Sequence, residues 1–393
     1  MISVGQAINI VQNNTSATQR PELKKVDEAH RYILYKDVVS PINMPPFRQS
    51  AMDGYALYLH DENTYTIVGE IKAGDGHQPM LKKGEAVRIF TGAPVPDTAN
   101  AVVMQERTHI DHKVLHITSQ VSVDENIRSL GEQVLKGQTA LRKGTLLTPA
   151  AIAFLKSLGI IEVNVFKKPT VAVVVTGNEL IEAGQNLAYG QVYESNATML
   201  ITALNGLGFQ SVSTYKVDDD YNKTVSLLDQ IISIHDVVIV SGGISVGDYD
   251  FVGKALKELH IEQLFYQVNQ KPGKPLYFGK KDDKIIFALP GNPAAALSCF
   301  YVYVYPALQN MCGVINASLN RTTAISQSNY NIKGDRSQFL KAKYNNGNVE
   351  ILNGQNSSML HTFALANALV HVKGNSESIK INDVVDVILL PIH

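Results

Sequence analysis

The sequence is poor in cysteine, balanced in charge and free of long apolar runs. Cys299 and Cys312 are its only cysteines, and their spacing suits neither a metal nor a redox site, which predicts a reducing compartment. Lys and Arg total 35 against 36 Asp and Glu. That balance excludes the one-signed field of a nucleic-acid binder or an acidic tail. Anionic ligands must then be met by individually placed Lys and Arg. No apolar run reaches the ~18 residues of a membrane span, and the start Met1-Ile-Ser-Val-Gly-Gln6 lacks the pattern of a signal peptide. A cytoplasmic protein with no nucleic-acid or membrane partner is expected. Walker loops and dinucleotide fingerprints are missing too. At 393 residues the chain exceeds one ordinary core, and roughly two to four domains are expected.

What is present is organised around Asp236 to Asp250. Asp236 to Val240 is short and nearly all apolar, as a strand buried on both faces should be. Gly242, Gly243, Ser245 and Gly247 then form a loop, and Phe251, Ala255, Leu256 and Leu259 continue at helix-face spacing. Strand, glycine loop and helix let backbone N–H groups point at an anion, and Asp248 and Asp250 stand where a phosphate-bound metal would be held. A tight turn with an acidic helix cap has the same composition.

In chain order, Ser3 and Gln6 form a capping box ahead of an N-terminal helix. A second helix is expected after Pro21, with Val26, Ala29, Ile33 and Leu34 on one face. Phe47 to Ala56 exposes Ser50 and Asp53 around an Asp-Gly turn. Residues 64 to 123 alternate like a small β module, in which Val87 to Pro96 is a strand ending in a stiff loop that exposes Thr91. His109, Asp111, His112 and His116 suggest a metal, but the alternation of Val114, Leu115, Ile117 and Val121 favours a hairpin. Helix returns after the Thr148-Pro149 cap, and Lys167-Lys168-Pro169 reads as a linker. The expected domains are 1–168 with an inserted β module at about 45–135, then 169–316 and 317–393.

Residues 170 to 312 alternate strand and helix, predicting one mostly parallel α/β sheet. In such a sheet, ligands bind beyond the carboxyl ends of the strands. Glu179, Asp218, the loop 242–250 and Pro290-Gly-Asn292-Pro293 all follow strand ends, so they should converge. Asn292 can cap the next helix with Pro293 in its first turn. Lys271-Pro-Gly-Lys274 adds two cations, and carboxylates, lysines and loop amides together suit a metal-bridged phosphate or oxyanion. From about Arg321 a small β domain is expected. There Arg336, Lys341, Ser357 and Ser358 read either as a second anion grip or as solvated loop residues.

With these residues in place, the chain resembles the molybdopterin molybdenumtransferase family (MoeA-like, including the E domain of gephyrin). The carriers are Ser-Ala-Met-Asp-Gly-Tyr-Ala (50–56), Ile-Phe-Thr-Gly-Ala-Pro-Val-Pro (89–96), Val-Val-Met-Gln-Glu (102–106) and Thr-Gly-Asn-Glu-Leu (176–180). Ser-Gly-Gly-Ile-Ser-Val-Gly-Asp-Tyr-Asp (241–250), Lys-Pro-Gly-Lys-Pro (271–275) and Leu-Pro-Gly-Asn-Pro (289–293) complete the set. The resemblance spans essentially the whole chain. Two departures are Gln133, where the family usually has Asp, and Ala294-Ala295, where it usually has Val-Ser.

The resemblance implies insertion of molybdenum from molybdate into adenylylated molybdopterin, with release of AMP and a divalent metal, usually Mg2+. It places Asp53, Thr91, Glu179, Asp218 and Asp250 in functional positions; Glu179, Asp218 and Asp250, expected at adjacent strand ends, are the expected metal ligands. Lys271 and Lys274 match substrate lysines, and Arg336 and Ser358 a molybdate-contacting pair. It further implies a homodimer, with the upstream adenylyltransferase and downstream molybdoenzymes as partners. Two alternatives stay open: an adenylyltransferase of the same pathway, or a non-enzymatic scaffold.

Overall fold

A computed structural model of the chain describes residues 1–210, 212–244, 251–315, 317–376 and 378–392. The chain divides into two compact units, Met1–Glu22 with Phe166–His393, and Leu23–Val165.

In the first unit, Val171–Thr176 and Val237–Ser241 are buried along their whole length. Alternate side chains explain why. Val171, Val173, Val175, Val237 and Ile239 pack with the N-terminal helix and with Leu200 and Leu204. Ala172, Val174, Val238 and Val240 pack on the other face with Leu228, Ile231, Val252 and Leu256. Both faces are covered, so the strands are apolar throughout. The sheet runs Val212–Val217, Val171–Thr176, Val237–Ser241, Lys284–Leu289, Pro275–Lys281, Glu262–Gln267. Its first members pair in parallel. Pro275–Lys281 lies antiparallel between its neighbours. The sequence suggests strands only near Leu264 and Ile285; Pro275–Lys281 is an addition, returned through a hairpin in which Asp282 adopts φ 53°.

Ser3 caps helix Val4–Asn13 in a capping box with Gln6, and Val4, Ala7 and Val11 join the core of the α/β sheet. The last region builds a second sheet from Arg321–Ser326, Ser337–Asn345, Asn348–Ile351, Ala368–Val372 and Val384–Leu389. Ser337–Asn345 also pairs with Ala368–Val372, which closes the sheet on itself. Gln270–Lys271 adds to its edge, pairing in parallel with Ser337 and Gln338.

In the second unit the inserted module is a sheet ordered Ala101–Met104, Gly54–Leu57, Glu85–Ile89, Thr64–Ile71, Val114–Ile117, Thr108–Asp111. Thr108–Asp111 and Val114–Ile117 form the expected hairpin, with His109 opposite His116. Thr148 caps helix Pro149–Ser157, accepting from the Ala151 amide at 3.3 Å. The helix expected after Pro21 does not form. Pro21–Lys25 is a strand, Val26–Glu28 a single tight turn, and Arg31 takes φ 64°. The apolar set is nonetheless buried: Val26, Ala29 and Leu34 pack with Leu147, Leu155, Val163 and Val165. Packing partners distant in sequence overrode a helical spacing that had no strong propensity behind it.

Candidate active site at the carboxyl edge of the sheet

The carboxyl ends of the parallel strands open into a cavity of about 630 Å³. Thr176, Glu179, Ser241, Gly242, Gly243, Pro290, Asn292 and Pro293 line it, so residues more than a hundred positions apart do converge. Asn196, at the start of helix Asn196–Gly206, ties three segments together. Its side-chain amide donates to Ser241 Oγ at 2.8 Å and to the Gly291 carbonyl at 2.7 Å. Gly242 and Gly243 leave the strand end with φ of 100° and 65°. A Cβ on Gly242 would meet Thr176 Oγ1 at 2.7 Å, and one on Gly243 would meet Val252 Cγ2 at 2.6 Å. Only glycine allows this backbone to pass so close to Thr176. Ser245, Gly247, Asp248 and Asp250 lie outside the described residues.

The acidic triplet after Val212–Val217 divides its work among three residues. Asp220 caps helix Tyr221–Ile234 by accepting from the Lys223 amide. Asp218 accepts from Lys223 Nζ at 2.8 Å, and that ammonium holds its carboxyl below the usual range. Asp218, the residue expected at the site, is paired with Lys223 instead, and its neighbour Asp219 is the one that lines the cavity. Successive residues of an extended segment face opposite ways, and Lys223, one helical turn in, captures Asp218. The sequence showed three adjacent carboxylates and nothing to rank them.

Glu179 and Asp219 put hard carboxylate oxygens in the cavity, a donor type that fits a divalent cation such as Mg2+. Among the described residues no three His, Cys, Asp or Glu cluster tightly enough to complete a metal site.

A second cavity of about 450 Å³ shares Pro275, Pro290 and Asn292 with the first. It is lined by Lys271, Lys274 and Arg336, together with Gln355, Asn356, Ser357 and Ser358. Beneath the lysine loop, buried Gln270 donates from Nε2 to the Gly273 carbonyl at 3.0 Å and accepts from Tyr303 Oη. Asn292 begins helix Pro293–Cys299 without capping it through its side chain. Its Nδ2 donates instead to Ser357 Oγ at 3.1 Å, so the expected cap is a tether to the serine loop. Lys341 does not line this cavity; it holds the serine loop from within.

In the second unit, Asp53 accepts at Oδ1 from both the amide and the hydroxyl of Thr91, each at 2.8 Å. The Thr91 amide, then its hydroxyl, and finally the Arg88 charge hold the Asp53 carboxyl below its ordinary range. Gly54 begins strand Gly54–Leu57 and is not a turn residue; a Cβ there would lie 1.9 Å from the Val103 carbonyl oxygen. The two elements that bear Asp53 and Thr91 are thus fixed by sheet pairing, with Gly54 opposite Ile89.

Family models match in series along the chain. "MoeA N-terminal region (domain I and II)" covers residues 2–159, "Probable molybdopterin binding domain" 172–310, and "MoeA C-terminal region (domain IV)" 323–390. The chain belongs to the MoeA family. A molybdopterin molybdenumtransferase of Staphylococcus aureus (strain MRSA252) is 32% identical over 401 residues, covering 99% of this chain and 95% of that protein. One of Staphylococcus epidermidis (strain ATCC 12228) is 33% identical over 405 residues with the same coverage. The crystal structure of a molybdopterin biosynthesis MoeA protein from Pyrococcus horikoshii OT3 superposes with a TM-score of 0.84 at 27% identity, covering 99% of this chain and 100% of that one. MoeA membership accounts for a multidomain chain in which an α/β domain stands between an N-terminal region and a C-terminal β region.

Proposed function

We propose that this MoeA-family chain is an enzyme of molybdenum cofactor biosynthesis, a molybdopterin molybdenumtransferase. It inserts molybdenum from molybdate into adenylylated molybdopterin and releases AMP. The observation that carries this reading is the adjacency of two cavities of opposite character. One presents Glu179, Asp219 and a glycine loop, the other Lys271, Lys274 and Arg336, and they share Pro290 and Asn292. A substrate with a pyrophosphate at one end and an oxyanion acceptor at the other requires such a pair.

The residues divide the work by charge. The glycine loop offers backbone N–H groups to the nucleotide phosphates. Glu179, Asp219 and Asp250 would hold Mg2+, which supplies positive charge to the pyrophosphate as it is cleaved. Lys271, Lys274, Arg336 and Ser358 grip the tetrahedral dianion with charge-assisted hydrogen bonds. Asp53, held ionised by Thr91, belongs to the same reaction through a homodimer in which the inserted module of each subunit closes its partner's cleft. The linker Lys167-Lys168-Pro169 is short and stiffened by proline, which favours sharing between subunits. On this reading the protein works in the cytoplasm, between the adenylyltransferase that makes its substrate and the molybdoenzymes that take its product.

The deciding experiment incubates purified protein with adenylylated molybdopterin, Mg2+ and graded molybdate, and follows AMP. Molybdate-dependent AMP release is expected. ATP-dependent adenylylation of molybdopterin without molybdate would assign the chain to the preceding step instead.

A further inference from the structure

Lys341 is a buried cation with no acidic partner among the described residues. It lies in Ser337–Asn345 at 2% exposure, and no other Lys or Arg among the described residues is buried. An ammonium carries three donors, and here all three go to main-chain carbonyls: Gly354 at 2.8 Å, Asn356 at 3.1 Å and Met359 at 3.1 Å. No proton is left for a carboxylate. A charge held by dipoles alone is costly inside a protein, so its countercharge has to be sought nearby.

The three carbonyls bracket the segment whose other side is the basic cavity, for Gln355, Asn356, Ser357 and Ser358 all line it. The peptide bonds here are trans, and a trans peptide sets N–H opposite to C=O. Turning the Gly354 and Asn356 carbonyls to Lys341 therefore aims the N–H groups of Gln355 and Ser357 at the opposite, cavity side. The Gln355 side chain locks this arrangement. It accepts from the Lys341 amide at 2.9 Å and donates to the Lys341 carbonyl at 2.9 Å and the Leu352 carbonyl at 2.7 Å. Two N–H groups turned to the same side of one short loop make a shallow anion-binding concavity.

We propose that Lys341 is a positioning residue that shapes the 354–359 loop into an amide nest and supplies the buried countercharge selecting a tetrahedral dianion over a monoanion. This rests on the reading that the cavity takes an oxyanion. Burial also pulls the Lys341 ammonium down to about 8, which fits a cation awaiting an anionic ligand.

The test titrates full-length protein by calorimetry with molybdate and, separately, with perrhenate, a tetrahedral monoanion. Removing one charge costs a dianion twice the free energy it costs a monoanion. Lys341→Met should thus weaken perrhenate roughly tenfold and molybdate roughly a hundredfold, lowering the selectivity ratio roughly tenfold. Lys341→Arg should keep the ratio. A variant that weakens both anions equally would reduce Lys341 to a structural pin and overturn the proposal. Should the methionine variant unfold, Lys341→Gln, which retains two donors for the carbonyls, carries the same comparison. Failure of the oxyanion reading is seen separately, as wild-type molybdate binding that is absent or indifferent to Arg336→Ala.

Discussion

Asn178 and Asp219 exchange hydrogen bonds across the carboxyl edge of the sheet. The Asp219 amide donates to Asn178 Oδ1 at 3.0 Å, and the Asn178 amide donates to Asp219 Oδ2 at 3.4 Å. This reciprocal pair aligns two strand ends and turns Asp219, not Asp218, into the cavity.

Asp219→Ala should therefore lower molybdate-dependent AMP release by roughly tenfold or more, as loss of a ligand or of its orienting partner does. Asp218→Ala removes only an exposed pair with Lys223 and should leave turnover within about twofold, since such pairs contribute little. Equal losses in the two variants would return the role to both residues.

The Asp53–Thr91 contact gives a titration. Thr91→Val removes the hydroxyl donor and keeps the amide, so the Asp53 carboxyl should rise toward the ordinary range without reaching it. A carboxyl depressed by folding contributes stability above its unfolded value, and that contribution fades as pH falls through the folded value. The variant should have less of this stability to lose and should finish losing it at a higher pH than wild type. The shift is read directly from the Asp53 carboxyl carbon by NMR, and an unmoved resonance would contradict the role given to the hydroxyl.

Lys341 carries the opposite sign. Its folded value is pulled from 10.5 to about 8 by burial. Between these values the unfolded chain keeps a proton that the folded chain has lost, so wild-type stability should rise with pH across that window relative to Lys341→Met. Thermal midpoints of the two proteins, measured from about pH 7.5 to about pH 10, should diverge in favour of wild type as pH rises through that window. Saturating molybdate should shift the rise to higher pH, because a bound dianion favours the ammonium.

Arg336→Ala should raise the molybdate requirement roughly ten- to a hundredfold, the worth of one charge-assisted contact, with binding of the adenylylated pterin preserved. An unchanged molybdate dependence would separate Arg336 from the oxyanion.

Sharing of the site between subunits is tested by mixing. Asp53→Ala and Glu179→Ala homodimers, each inactive, are dissociated and recombined. Random exchange gives heterodimers with one intact cleft, so about a quarter of wild-type activity should return. No recovery in the presence of demonstrated heterodimers would place both residues in the service of one chain's cleft.

The sequence by itself determined the apolar strands Val171–Thr176 and Val237–Ser241, the capping box of Ser3 and Gln6, and the convergence of Glu179, Gly242 and Asn292 at strand ends. These follow from local composition and from the rule that a parallel sheet binds ligands at its carboxyl edge. The family motifs stood in the same places. Tertiary structure decided the rest. It turned the residues after Pro21 into a strand and a tight turn, through packing with Leu147 and Val163. It chose Asp219 from three adjacent carboxylates by setting Lys223 beside Asp218. It left Asn292 at the start of its helix but turned the side chain to Ser357. It drew Lys341 away from the cavity surface and beneath the loop. Each outcome depends on a partner far along the chain or on which way one side chain points. Periodicity and motif spacing report neither, because a side chain's direction is fixed only when the surrounding elements have packed.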